Sequence, residues 1–119
     1  MSGTIQIARD RLAEYFDAFT KQFLRDGSPK AIDVEVLEPD LGDQYALQGA
    51  RLVGITYAAR TNSLEVALDV GDYRVADPQD VWVIEEPDGF LNAIEVVLRG
   101  GSRELMSVKR VGLRRLDGR

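Results

Sequence analysis

Residues 51–70 read Arg-Leu-Val-Gly-Ile-Thr-Tyr-Ala-Ala-Arg-Thr-Asn-Ser-Leu-Glu-Val-Ala-Leu-Asp-Val, and this stretch decides the fold. Leu64, Val66, Leu68 and Val70 alternate with Glu65, Ala67 and Asp69. Period two is the signature of a strand with one face buried. Leu52 to Tyr57 is the strand before it, with Val53, Ile55 and Tyr57 assigned to one face. Thr61-Asn62-Ser63 supplies the turn between them, because these side chains bond nearby backbone. The two runs form an antiparallel hairpin.

The same grammar extends in both directions. Ile32, Val34 and Val36 alternate with Asp33 and Glu35. Glu38 to Gly49 reads as a polar connection. Tyr73 to Val75 is a short piece before Asp77-Pro78, and Val81 to Glu85 is the next strand. Pro87-Asp88-Gly89 turns the chain into Phe90 to Leu98, and Gly100-Gly101 turns it into Arg103 to Val108. Only residues 8–24 read differently. There Leu12, Tyr15, Phe16, Phe19 and Phe23 recur at spacings of three and four, one stripe of an amphipathic helix. Asp10 or an earlier residue is placed to cap its start, and Gly27-Ser28-Pro29 ends it.

The expected fold is therefore α+β. One N-terminal amphipathic helix packs on a curved antiparallel sheet of five or six strands in near-meander order. The 119 residues fit one domain, residues 1–109, with a basic C-terminal tail at 110–119.

Composition removes several kinds of chemistry. The chain has no histidine and no cysteine. Histidine is the usual general base, since its free pKa is about 6.5. Cysteine supplies thiolate nucleophiles and ligands for zinc and iron–sulfur groups. Ser–His–Asp and Cys–His catalysis, zinc fingers and disulfide relays are closed. No catalytic residue, cofactor or metal is assigned, and an enzyme is the less favoured reading. The lack of cysteine suits a reducing cytoplasm. No basic-then-apolar leader opens the chain, and no run is long enough to span a membrane.

Net charge is −5, unevenly placed. Residues 1–98 carry 8 basic and 18 acidic side chains, and residues 99–119 carry 7 and 2. Lys109, Arg110, Arg114 and Arg115 are the candidate contacts for an anion such as a nucleic-acid phosphate. No aromatic residue stands among them for base stacking. Asp69, Asp72, Asp77 and Asp80 suggest a cation site, but their spacing misses the calcium-loop pattern, and turn formation accounts for them. Glu85, Glu86 and Asp88 beside Trp82 cluster at a hairpin tip rather than across a cleft.

One pattern bears on partners. Trp82 and Ile84 alternate with Val81 and Val83, and Leu91, Ala93 and Val97 alternate with Phe90, Ile94, Val96 and Leu98. These strands are apolar on both faces. One face takes the helix. The other calls for a cover, and Trp82, Ile84, Leu91 and Val97 are the candidate contacts of a homodimer.

Two segments carry a family resemblance. Tyr15-Phe16-Asp17-Ala18-Phe19 is followed by Val34-Glu35-Val36-Leu37-Glu38-Pro39-Asp40-Leu41-Gly42 and then Gly54-Ile55. Over roughly residues 10–108 this resembles a family of small bacterial and archaeal proteins known only as a domain of unknown function. The resemblance implies a small α+β domain and brings no activity or site residue. The leading expectation is a non-enzymatic interaction or ligand-binding module, homodimeric. The rivals are a nucleic-acid-associated accessory protein using the basic tail, and a carboxylate enzyme.

Overall fold

The computed structural model describes residues 3–111. A single eight-stranded sheet organises them: β1 (Gly3–Ile7), β2 (Lys30–Glu38), β3 (Gly42–Ala58), β4 (Ser63–Leu68), β5 (Gly71–Ala76), β6 (Asp80–Glu85), β7 (Leu91–Val97) and β8 (Arg103–Arg110). One helix, α1 (Leu12–Phe23), follows β1. The strand order is β1-β6-β7-β8-β2-β3-β4-β5, and every neighbouring pair is antiparallel. Two meanders, β2 to β5 and β6 to β8, are joined where β8 pairs with β2.

The sheet thus has eight strands, not five or six, and each difference has a physical source. β1 precedes the helix expected at 8–24, in residues assigned to no element, and α1 itself starts at Leu12 after a 3-10 turn at Arg9–Arg11. Asp10 lies in that turn and forms no cap. The connection expected at 38–49 is the first half of the 17-residue β3. Residues 42–46 are all exposed, so no buried stripe marks them. Backbone pairing with β2 holds them in place. That pairing slips by a residue twice, around Val34, and Gly49 takes φ +66° there. Bulges need such backbone, and glycine supplies it without strain. Asp33 Oδ1 accepts the Gly49 N–H at 2.7 Å and stitches the irregularity shut.

The 52–70 hairpin forms with two departures from strict alternation. β3 carries a bulge between Leu52 and Gly54, which turns Leu52 inward and leaves Val53 48% exposed. β4 ends at Leu68, so Val70 sits in the turn and is 81% exposed. Ile55, Tyr57, Leu64 and Val66 are buried as expected.

Residues 42–51 of β3 pair with β2, and residues 52–58 pair with β4. Beyond Arg51, therefore, β3 lacks β2 as a neighbour. Helix α1 takes its place. Thr20 Oγ1 donates to the Ile55 carbonyl and accepts from the Ile55 N–H, both at 3.0 Å. Gly54 has no side chain, and a Cβ there would lie 3.5 Å from the Thr20 methyl.

The sheet is strongly curled. Tyr73 on β5 donates to Glu104 on β8 at 2.6 Å, although β2, β3 and β4 lie between them in the order. In a flat sheet those strands would stand roughly 19 Å apart, at about 4.8 Å per strand. The core fills the concave face. Phe16 and Phe19 of α1 are buried there with Ile32, Val34, Ile94, Val96 and Met106. Phe90 stacks near Phe19 and Phe23, with centroids 5.8 and 5.4 Å away. Tyr15 and Phe23, at the margins of the stripe, are only partly buried.

Candidate interaction surface

The cross-strand register sorts the residues of β6, β7 and β8 by face. Val81, Val83, Ile94, Val96 and Met106 are buried on the concave side. On the convex side Ile84 stands opposite Ala93, and Trp82 opposite Glu95. Glu95 in turn faces Leu105, and Val97 lies between Asp80 and Arg103. No helix crosses this side among the described residues. Ile84 is 36% exposed, and Trp82, Ala93, Val97 and Leu105 are half-buried. Three of the four expected contact residues thus share one open face. Leu91 does not join them, because it is fully buried in the core beside the β6–β7 turn.

The face is not purely apolar. Arg103 donates to Glu95 Oε2 at 2.9 Å across β7 and β8. Further along, Lys109 lies 3.4 Å from Asp33 Oδ2. These exposed pairs add little to stability. They do place charges of both signs within an apolar strip.

The basic candidates divide. Lys109 is held by Asp33. Arg110, placed in the tail by the sequence, is the last residue of β8. Its guanidinium donates to Asp88 at 2.8 Å and lies 4.2 Å over the Phe90 ring. Both engage carboxylates of this chain. Arg114 and Arg115 lie outside the described residues.

The carboxylates also have structural partners. Asp88 accepts the Phe90 N–H at the hairpin turn, and Arg110 holds its carboxyl below the usual range. Asp77, at φ +55°, accepts from Asn62 and Arg99, and that arginine lowers its pKa. Glu85 accepts the Tyr15 hydroxyl, whose pKa is raised by burial and by that carboxylate. Glu104 is the exception in direction. Burial raises its pKa, the Tyr73 hydroxyl opposes that rise, and the charge of Glu38 adds to it. Among the described residues no three acidic side chains converge as a metal-sized group.

Sequence reasoning missed two buried polar residues. Thr20 is buried on α1 with its hydroxyl on the Ile55 backbone. Lys30 is only 2% exposed, with its ammonium donating to Asp26 at 2.9 Å and to the Ser28 carbonyl at 2.8 Å. Both bonds are local, so Lys30 closes the turn after α1. Spacing Asp26-x-x-x-Lys30 was the available signal.

A small α+β domain, with one helix on a curled antiparallel sheet and a half-apolar convex face, is the class these features define. The chain belongs to the family of unknown function DUF5335, whose model matches residues 3–113. It is similar to an uncharacterized protein of Aquifex aeolicus (strain VF5), 27% identical over 108 residues. That alignment covers 90% of this chain and 93% of the relative. No solved structure matches. No helix among the described residues is long and apolar enough to cross a membrane.

Proposed function

We propose that this protein is a non-enzymatic interaction module of the cytoplasm that works as a homodimer, joined through the convex face of β6, β7 and β8. One observation carries the reading: strands apolar on both sides have only one side covered among the described residues. Antiparallel sheets with a solvated face normally alternate, and Trp82, Ile84, Ala93, Val97 and Leu105 break that rule. The charges within the strip favour a second copy as the cover. A two-fold contact is self-complementary, so Arg103 of each copy can meet Glu95 of the other. Two sheets stacked this way pack roughly 10 Å apart, side chain on side chain.

Sedimentation velocity of the full chain tests the proposal. A dimer is expected at micromolar concentration. Ile84→Glu should dissociate it into a monomer that keeps its folded circular-dichroism spectrum, because Ile84 is off the core. A chain ending at Val111 should remain dimeric, since the face lies within β6 to β8. A full-length monomer at all concentrations would remove the interface and the homodimer with it.

A further inference from the structure

The two ends of the sheet are unequal. β5 is guarded as edge strands usually are. It carries Asp72 and Arg74, begins at Gly71 with φ +136°, and Arg74 lies 3.9 Å from Glu65. Charges and irregular backbone keep other strands off an edge. β1 has none of these devices. Its sequence, Gly-Thr-Ile-Gln-Ile, is uncharged, contains no proline and pairs with β6 without a register shift. Its other edge pairs with nothing among the described residues, and Ile5 is 42% exposed.

A pocket lies beside that edge. It measures about 480 Å³ and is lined by Gln6, Ile7 and Ala8 of β1 and its exit, and by Arg11, Glu14, Tyr15 and Ala18 of the helix start. Those four helix positions run at spacings of three and four, so they form one flank that overhangs the strand. Ile7, Ala8, Ala18 and the Tyr15 ring give the pocket apolar walls. Arg11 and Glu14 neutralise each other at its mouth, 3.5 Å apart.

We propose that the free edge of β1 accepts an extended, uncharged peptide strand from another protein, one apolar side chain of which fills this pocket. The inference rests on the interaction-module reading and names the kind of partner. Strand addition draws affinity from main-chain hydrogen bonds and specificity from pockets under alternate side chains. β1 offers the first and the groove beside α1 the second. The balanced ion pair leaves no net charge to attract a charged anchor. A second copy fits less well. Two-fold pairing of β1 about Ile5 would set Gly3 opposite Ile7, at the pocket, and glycine has no side chain to fill it.

The probe is a capped hexapeptide, Thr-Val-Thr-Leu-Thr-Gln, titrated into isotope-labelled full-length protein and followed by amide NMR. Signals of residues 4–8 and of the Arg11–Ala18 flank should shift. Replacing the peptide's Leu with Glu should weaken binding about tenfold or more, from loss of one buried side chain. Ala18→Arg, at an exposed helix position, should block the pocket, abolish the shifts and leave the melting curve in place. Unchanged spectra at about 1 mM peptide, the weak end of measurable affinity, would overturn the proposal. So would shifts centred on β5, or binding indifferent to Ala18→Arg. Loss of the dimer in Ile5→Lys would show that a second copy occupies the edge, and would overturn the assignment to a foreign strand. A monomer that binds the peptide would end the homodimer reading and sustain this one. A dimer that ignores it would do the reverse.

Discussion

Thr20→Val is the most informative single change. Valine keeps the size and β-branching of threonine, so neither packing nor helix propensity changes much. What disappears is the hydroxyl that serves both backbone groups of Ile55 at 3.0 Å. Those groups face away from β4 at a level where β2 no longer reaches. Thr20 is buried, so water does not replace it. Each buried, unsatisfied polar group costs roughly 1–3 kcal/mol, which makes about 2–6 kcal/mol for the pair. Thr20→Ser keeps the hydroxyl and loses one methyl from its contact with Gly54, worth about 1 kcal/mol. Urea unfolding should therefore rank Val well below Ser, although Val is the closer match in shape. Amide exchange at Ile55 should accelerate in Val and stay slow in Ser. If Val equals or exceeds Ser in stability, the helix is not standing in for a strand.

Other outcomes follow from the same structure. Phe19→Ala empties a buried position at the helix–sheet contact and should cost about 3–5 kcal/mol, read as a sharp drop in melting temperature; an unchanged curve would mean that α1 is not docked. Glu104 has a folded pKa above its ordinary 4.5, so the folded state holds the proton more tightly than the unfolded one. Its contribution is present below the unfolded pKa and is lost as pH rises through the folded pKa. Glu104→Gln should flatten that loss in chemical denaturation between pH 4 and pH 7, ordinary limits for carboxylate titration, and an unaltered pH profile would show that Glu104 is not desolvated. Lys30→Met should destabilise by leaving the turn after α1 without its two bonds, and a variant as stable as the parent would make the buried ammonium dispensable. Without histidine or cysteine the protein should hold no zinc or iron after dialysis against chelator, and a stoichiometric metal in elemental analysis would contradict this.

Much of the architecture was legible because it rests on burial. Phe16 and Phe19 at helical spacing, and Leu64 and Val66 at strand spacing, report directly which side meets the core. The strands that escaped notice are held by something a side chain does not advertise. Residues 42–46 lie in a strand because β2 offers backbone partners, and Tyr45 is exposed there for the same reason. Gly3–Ile7 is short and lies at an edge, so only β6 defines it. Bulges at Val53 and around Gly49 reset the alternation, and no spacing argument passes through a bulge unaltered. The residues of the convex face were legible in part. Trp82 and Ile84 were found from two-sided hydrophobicity, but the turn after β6 rotates Leu91 inward, and register slips of that kind follow from pairing rather than composition.

The distribution of polar chemistry shows how the curl of the sheet is held. Several inward or half-buried polar groups close structural gaps: Thr20 replaces a missing strand, Lys30 ties a turn, Tyr73 and Glu104 join β5 to β8. Tyr15 with Glu85 and Asn62 with Asp77 fix the helix and the β3–β4 turn in the same way. Among the described residues no helix crosses the convex apolar strip, and the outer edge of β1 pairs with no strand. Both are surfaces that another chain can complete. One is closed by a face and the other by a strand, so the two can be occupied together without competing for the same atoms.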